Sequence, residues 1–110
     1  MSKVKIIVHA PLSHADVVRK AVGEAGGGVF GNYTDCSFSY RGVGRSRPGE
    51  GANPTIGEVG KLAEIEEESI EFVCDREVAK KVLEAIRKVH PYDEIGEEIY
   101  ELLDEEKLWK

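Results

Sequence analysis

AGGGVFGNYTDCSF, residues 25–38, decides between two folds for this chain. Gly26, Gly28 and Gly31 reproduce the G-x-G-x-x-G spacing of dinucleotide-binding loops. Such a loop follows a strand and opens a helix, so that free backbone N–H groups meet the pyrophosphate. Here the glycines follow a helical pattern and lead into a strand-like segment, Asp35–Val43. The stretch therefore predicts a helix C-cap and a tight turn that uses left-handed glycine conformations.

The segment before the glycines predicts a strand and an amphipathic helix. Alternate positions of Lys3–Ala10 are apolar, which is typical of a half-buried strand, and Pro11 ends it. Ser13 opens the helix, with Asp16 three residues on in a capping-box-like arrangement. The helix buries one stripe of small or branched apolar residues: Ala15, Val18, Val22 and Ala25.

The second half of the chain predicts a strand, a helix and a last strand. Ile65–Cys74 alternates as a strand, with Ile70, Phe72 and Cys74 on one face. Asp75 can cap a helix that runs to about Val89 before His90-Pro91 ends it. The helix has four inward positions: Val78, Val82, Ile86 and Val89.

The remaining segments are a long connection and the C-terminal region. Residues 42–60 are rich in glycine and proline, which predicts a long ordered loop or a drawn-out hairpin connection and not a core element. Ile95–Leu103 is the predicted last strand, and Asp104–Trp109 a short helical tail.

This order, β-α-β-β-α-β, predicts an α+β ferredoxin-like sandwich: an antiparallel sheet with two helices on one face. At 110 residues the chain is expected to be a single domain, residues 1–110. Such a small sheet leaves one face and its edges open, and self-association is the simplest way to cover them.

Composition excludes several classes of function. The net charge of −6 disfavours binding to nucleic acid, because no general basic face is present to neutralise phosphates. No stretch is long and apolar enough for a membrane span, and the N-terminus lacks the apolar core of a signal peptide. With two cysteines and no export signal, we expect free thiols and a cytoplasmic location.

Three motifs resemble one family in the same order: GNYTDCSF (31–38), EGANPTIGEVGKL (50–62) and HPYDE (90–94). They are similar to the inserted domain of the Nif-three-like (YqfO-like) proteins, which are also called type-2 GTP cyclohydrolase homologues. The likeness covers about Lys3 to Leu103. It implies the fold of the trimeric CutA and PII proteins. In full-length members the domain interrupts a larger protein with a dinuclear metal site. The resemblance covers only the inserted domain, so the metal chemistry of the other halves is not expected to carry over.

The resemblance is carried over position by position. Asp93 stands where the family usually has Glu, Ile95 where it has Pro, and Ser69 where it has Arg. Losing that arginine puts any polar network around the acidic turn in doubt. The matching positions are Asn32, Tyr33, Cys36, Ser37 and Phe38; Gly51, Ala52, Asn53, Pro54, Ile56 and Gly57; and His90, Pro91, Tyr92 and Glu94.

The arginines between the second and third strands suggest an anion site. Arg41, Arg45 and Arg47 bring three positive charges with no acid between them, among glycines that expose backbone N–H groups. Such a loop, continued by Glu50–Gly57, can hold a phosphate or carboxylate. The resemblance implies a regulatory role for this connection, as in PII-like proteins. Alternatively, the arginines pair with the acidic surface of a neighbouring subunit.

The HPYDE turn also has two interpretations. In the structural one, the proline fixes the helix exit and Tyr92 packs its ring. In the functional one, a ligand pocket is lined by residues from all three motifs: Asn32, Tyr33, Cys36, Glu50, Asn53, His90, Tyr92 and Glu94.

Metal binding and catalysis have weaker support. A divalent metal could be held by His90, Asp93 and Glu94, or by Cys36, but no zinc-type spacing is present. No catalytic residue is predicted, because nothing visibly activates the Cys36 thiol.

The sequence thus favours a non-enzymatic, homotrimeric regulatory or ligand-sensing domain that needs no cofactor and binds a small anion between subunits. The alternatives are a divalent-metal-binding protein of CutA type and an interaction module for a separately encoded metal-binding partner.

Overall fold

In the computed structural model, which describes residues 2–110, strands and helices follow the predicted β-α-β-β-α-β order. The elements are β1 (Lys3–Pro11), a 3₁₀ turn (Leu12–His14), α1 (Ala15–Glu24), β2 (Phe38–Ser46), β3 (Ala63–Asp75), α2 (Arg76–Val89), β4 (Glu97–Leu102) and the short α3 (Glu105–Leu108).

The four strands form one antiparallel sheet in the order β2-β3-β1-β4. Lys3 lies opposite Asp75 of β3 on one side and opposite Leu102 of β4 on the other. Both main helices pack on the same face of the sheet, and the opposite face is open. The predicted ferredoxin-like fold is therefore confirmed.

The hydrophobic core lies between this face and the two helices. The alternating apolar positions of β1 and β3 point into it, as predicted, and the stripes of α1 and α2 close over them. The buried apolar residues are Val4, Ile6, Val8, Ala10, Ala15, Val18, Val22, Ala25, Ile70, Phe72, Cys74, Val82 and Ile86. Val78 and Val89 of α2 are partly buried against this core.

The glycine stretch ends α1, as its position after a helical pattern predicts. Gly26 and Gly28 have φ of 97° and 74°, which a residue with a side chain adopts only with strain. The Gly28 N–H donates to the Val73 carbonyl at 2.9 Å, and its own carbonyl accepts from Cys36 at 2.8 Å. A Cβ on Gly28 would collide with the Cys36 backbone. These glycines therefore allow close contact between backbone segments.

Two predicted helix caps are wrong. The chain forms the 3₁₀ turn before α1, so the helix begins at Ala15 and Ser13 makes no capping bond to it. The Asp16 carboxylate binds Arg19 instead. The Asp75 side chain does not cap α2, because it forms an ion pair with Lys3 at 3.0 Å across the sheet. The Ser13 hydroxyl instead lies 2.8 Å from His14 Nδ1, and the two carboxylates bind cations.

Strand boundaries differ from the prediction around the long connection. β2 begins at Phe38 and not at Asp35, since Asp35 has a left-handed φ of 58°. It continues through Ser46, so the first five residues of the predicted 42–60 connection are paired with β3.

The β2–β3 hairpin extends beyond the rest of the sheet. β1 ends where Pro11 faces Glu67, whereas β3 begins four residues earlier, at Ala63. The projecting part lengthens the molecule to 53 × 26 × 23 Å and gives a radius of gyration of 15.5 Å. A compact domain of this length would have about 13 Å. We call residues 43–46 and 63–66 the hairpin arm. Within residues 2–110, no helix is long and apolar enough to cross a membrane.

Candidate functional site

A cleft of about 270 Å³ lies between the loop that follows β2 and the turn that follows α2. We call it the hairpin cleft. It joins parts of two of the motifs singled out in the sequence. It is lined by Ser46, Arg47, Pro48, Gly49, Ala52, Pro54, Thr55, Ile56, Ile65, Tyr92, Asp93 and Glu94.

Hydrogen bonds hold the loop against the turn. The Asn53 backbone N–H donates to Asp93 Oδ2 at 3.1 Å, and the Thr55 hydroxyl donates to the Pro91 carbonyl. Inside the loop, the Gly60 N–H donates to the Pro48 carbonyl at 2.8 Å. The loop therefore folds back on the HPYDE turn, and the two motifs form opposite walls of one cleft.

Tyr92 is fixed by a carboxylate on β3. Its hydroxyl donates to Glu67 Oε2 at 2.7 Å. The Glu67 carboxylate fits there because Gly44, on the neighbouring strand, has no side chain, and a Cβ at that position would overlap it. Burial, and then the bond to Glu67, raise the pKa of Tyr92 well above its usual value of 10.0. The phenol therefore stays protonated and remains a hydrogen-bond donor.

His90 has a structural role. It is 7% exposed, and its Nδ1 accepts from the Tyr92 N–H at 3.2 Å. Nε2 lies 2.7 Å from the His9 carbonyl, so this nitrogen carries the proton and donates. Both ring nitrogens are thus engaged, which argues against the alternative metal site of His90, Asp93 and Glu94. Among residues 2–110, no group of three or more His, Cys, Asp or Glu side chains is arranged to hold a metal ion.

The three arginines do not converge on one ligand within a single chain. Arg45 forms an ion pair with Glu64 of its own chain at 3.3 Å, and Arg41 lies opposite Glu68 in the β2–β3 ladder. Arg47 donates from Nη1 to the Gly60 carbonyl at 3.1 Å and lines the hairpin cleft. From position 41 to position 47 an extended chain covers about 20 Å. Only Arg47 of the three therefore reaches the cleft.

The residues of the first motif lie at the other end of the sheet. Cys36 is anchored through Gly28 to Val73, six residues along β3 from Glu67, or about 20 Å. The pocket expected to combine Asn32, Tyr33 and Cys36 with the HPYDE turn is therefore not formed within one chain. Glu50 is exposed in the loop and does not line the hairpin cleft.

Cys36 borders two separate crevices of about 350 and 280 Å³. The first lies beside α1 and has Val22, Ile70 and Phe72 at its base. The second includes Lys5, which forms a 2.9 Å ion pair with Glu71. Each of these cavities is bordered mainly by apolar surface and by groups already engaged in the fold.

Two polar features of the structure, the contacts of Arg19 and the burial of Glu97, are not predicted from the sequence. Arg19 of α1 donates to Glu68 Oε1 at 2.6 Å and to the Ser39 hydroxyl at 3.1 Å, so it ties the helix to β2 and β3. Its hydrogen bonds to Glu68 and then Asp16 raise its pKa. The Asp16–Arg19 spacing of three residues on a helix was the available signal.

Glu97 is the second polar feature that is not predicted from the sequence. Its side chain is only 12% exposed, and Oε2 is buried without a hydrogen-bond partner. Burial raises the pKa of Glu97, while Arg87, 3.8 Å away, opposes the shift. Nothing in the sequence marks this glutamate among the chain's many acids.

The open face of the sheet carries exposed aromatic side chains. Phe38 and Tyr40 on β2 are 68% and 52% exposed, and their rings are 6.3 Å apart. Tyr100 on β4 is 48% exposed. The register places these residues on the face opposite to the helices, together with Lys5 and Glu71. Exposed aromatic side chains of this kind make the open face a candidate interaction surface.

Comparison with curated proteins identifies clear relatives. The chain is 43% identical over 101 residues to the GTP cyclohydrolase 1 type 2 homolog of Halalkalibacterium halodurans, covering 92% of this chain and 27% of the relative. It is also 43% identical over 96 residues to the protein of that name in Bacillus subtilis, covering 87% and 26%. The chain therefore spans about a quarter of the length of the curated relatives it matches. A scan of protein-family models gave no match.

Solved structures agree with the sequence relatives. A Bacillus cereus protein related to NIF3 superposes with a TM-score of 0.82 at 38% identity, over 94% of this chain and 26% of that one. CutA1 from Pyrococcus horikoshii gives a TM-score of 0.66 at 15% identity, over 96% of this chain and 91% of that one. The PII-like protein CutA from Nostoc sp. PCC 7120 gives 0.64 at 14% identity, over 97% and 85%. At such low identity these last two establish the fold alone.

The resemblance seen in the three motifs is therefore confirmed. Over nearly its whole length, this chain is homologous to a segment of the NIF3-related GTP cyclohydrolase 1 type 2 homologs, and it has the CutA-like fold.

Proposed function

We propose that this chain is a non-enzymatic, homotrimeric ligand-sensing module that binds a small molecule carrying an anionic group in the hairpin cleft, close to a subunit boundary. The observation that carries the proposal is the state of Arg47. Its guanidinium lines the cleft and is held there by one neutral carbonyl. An anionic group can therefore bind to its other N–H donors without first displacing a carboxylate.

Two features support assembly into an oligomer. The open sheet face presents Phe38, Tyr40 and Tyr100 to solvent, and a second copy could cover them. The hairpin arm has no core of its own, because it extends beyond β1 and both helices. An arm of this kind gains stability when it packs on a neighbouring copy, and the cleft at its base would then lie beside that neighbour.

The chemistry of the cleft supports binding more than catalysis. No cysteine or histidine lines it, and the Tyr92 and Thr55 hydroxyls already donate within the fold. The chain also spans only about a quarter of the relatives whose names refer to a cyclohydrolase. We therefore assign no reaction to this segment.

Thermal unfolding with a panel of anions tests the binding site. Inorganic phosphate, pyrophosphate, acetate and 4-methylpentanoate would be added to the wild type, to Arg47→Met and to Arg45→Met. Arg45 is the matched control, because it lies two residues before Arg47, near the end of β2, and outside the cleft. We expect at least one anion to raise the melting temperature of the wild type and of Arg45→Met but not of Arg47→Met. Equal responses from the two variants would contradict the site.

Light scattering tests the assembly separately. We expect a mass three times the 12.1 kDa of one chain. A Phe38→Ser, Tyr40→Ser double variant should dissociate because it removes aromatic surface from the open face. A wild type that stays monomeric at micromolar concentration would overturn the trimer and the boundary location of the cleft.

A further inference from the structure

The hairpin cleft carries charges of both signs on its two walls. Arg47 stands on the wall formed by the loop after β2, and Asp93 and Glu94 stand on the wall formed by the turn after α2. Within residues 2–110, Arg47 forms no ion pair with either acid, although all three line the same cleft. Neither acid therefore neutralises Arg47 within the cleft.

These charged groups keep free bonding capacity. A guanidinium has five N–H donors, and the Gly60 carbonyl takes one from Arg47. Asp93 accepts the Asn53 N–H on Oδ2, which leaves Oδ1. Glu94 is exposed and has no side-chain hydrogen bond or ion pair in the part of the chain that the structure describes. The cleft thus offers donors at one wall and acceptors at the other.

The cleft that these charged groups border also has an apolar lining. Its walls include the rings of Pro48, Pro54 and Tyr92 and the side chains of Ile56 and Ile65. At about 270 Å³ it lies just below the usual range of small-molecule sites, about 300–1,000 Å³, so the occupant has few heavy atoms. One cation facing two carboxylates also disfavours a polyanion such as pyrophosphate, because like charges repel at close range.

We propose that the hairpin cleft binds a zwitterion with the chemistry of a free apolar α-amino acid. Its carboxylate binds Arg47, its ammonium group binds Asp93 and Glu94, and its side chain packs against the prolines, isoleucines and the Tyr92 ring. This inference rests on the proposed ligand-sensing function and specifies the class of ligand. Charge-assisted bonds at both ends select the zwitterion over molecules that carry only one of the two charges.

Calorimetric titration of the full chain with matched probes tests the inference. The probes are L-leucine, 4-methylpentanoate, which lacks only the amino group, and 3-methylbutylamine, which lacks only the carboxylate. We expect L-leucine to bind at least about 10-fold more tightly than either analogue. The corresponding phenylalanine set, with 3-phenylpropanoate and 2-phenylethylamine, shows whether the apolar wall accepts an aromatic ring.

Variants assign each end of the ligand. Glu94→Gln and Asp93→Asn should weaken the binding of L-leucine by about 10-fold and leave the binding of 4-methylpentanoate unchanged, because only the amino acid has an ammonium group for these carboxylates. Arg47→Met should weaken the binding of both L-leucine and 4-methylpentanoate, because both carry a carboxylate. Glu66→Gln, an exposed acid outside the cleft, is the matched control and should change neither.

The possible results separate this inference from the proposed function. If 4-methylpentanoate binds as tightly as L-leucine and Arg47→Met abolishes the binding of both, the proposed anion site is supported and the inference of a zwitterionic ligand is wrong. If none of the probes binds the wild type, the zwitterion is again wrong, and the thermal panel of inorganic anions decides the proposed function by itself. Binding of L-leucine that survives Arg47→Met overturns both.

Discussion

Replacing Gly44 by alanine would place a methyl group where the Glu67 carboxylate now lies. The Gly44 backbone itself can carry a side chain, because its φ is outside the left-handed region. The Glu67 carboxylate now accepts a hydrogen bond from the Tyr92 hydroxyl at 2.7 Å. The cost of the substitution therefore comes from moving Glu67 away from Tyr92. Gly42, on the same face of the same strand, has nothing within 4 Å of a Cβ and is the matched control.

Two opposing effects set the magnitude. Alanine in a strand interior is more favourable than glycine by about 0.5–1 kcal/mol, since it restricts the unfolded chain. A hydrogen bond to a charged group contributes about 1.5–3 kcal/mol, and a half-exposed pair lies at the lower end of that range. We expect Gly42→Ala to be stabilising by about 0.5 kcal/mol. Gly44→Ala should be destabilising by about 1 kcal/mol, so the two variants differ by about 1.5 kcal/mol.

Denaturant unfolding at one fixed protein concentration measures this difference and holds any assembly equilibrium constant. The same pair of glycine substitutions would then be made in a Tyr92→Phe background, which lacks the donor. There we expect Gly42→Ala and Gly44→Ala to have the same effect, because no hydrogen bond remains to be lost. Equal stabilities in the Tyr92 background would refute the view that Gly44 makes room for this carboxylate.

Three further substitutions test other parts of the fold. Burial raises the pKa of Glu97 above its usual 4.5, so the folded protein binds a proton more readily and loses stability as the pH rises from that value. Glu97→Gln should therefore raise the free energy of unfolding at pH 7 by about 1 kcal/mol, and by less at pH 4. The reverse order in thermal unfolding would contradict a cost of burying the charged Glu97 carboxylate. Gly28→Ala should cost more than Gly26→Ala, by at least about 1 kcal/mol in denaturant unfolding, because only the first also collides with the Cys36 backbone. Ile86→Ala should cost about 2–5 kcal/mol in the same assay, since the side chain is fully buried, and a cost under about 1 kcal/mol would mean that α2 is loosely packed.

The main elements follow from the spacing of apolar residues. In β3, Ile70, Phe72 and Cys74 alternate, and all three are buried. In α2, Val82 and Ile86 recur four residues apart and are fully buried as well. The predicted position of the glycine stretch after a helix is confirmed, because the residues before it have the helical period. These local patterns are strong where one face of an element packs against the core.

The second strand is less visible because its sequence resembles a loop. Gly42 and Gly44 have low intrinsic preference for a strand, so the segment from position 42 onward was expected to be a connection. It is a strand because the backbone from Gly42 to Ser46 pairs with Ala63–Glu67 of β3, and the missing side chain at Gly44 leaves room for Glu67. Such tertiary causes leave no local signal.

The site is predicted only in part. The sequence singled out the Asn53 and Tyr92 motifs, and the structure brings them together across one cleft. That contact depends on a loop folding back over the turn, which no periodicity reveals. Arg41 and Arg47 are close in sequence, yet an extended strand carries them apart, so the expected cation cluster does not form.

The pairing of Lys3 with Leu102 has a consequence for how this unit can be used. Because the two residues face each other on adjacent strands, the start of β1 and the end of β4 lie about 5 Å apart. This four-stranded unit could therefore be inserted into a longer polypeptide, because the two points where it would join the host lie side by side. Neighbouring ends of this kind let a domain be accommodated inside a host loop without distorting the host. This geometry is compatible with relatives that are roughly four times as long.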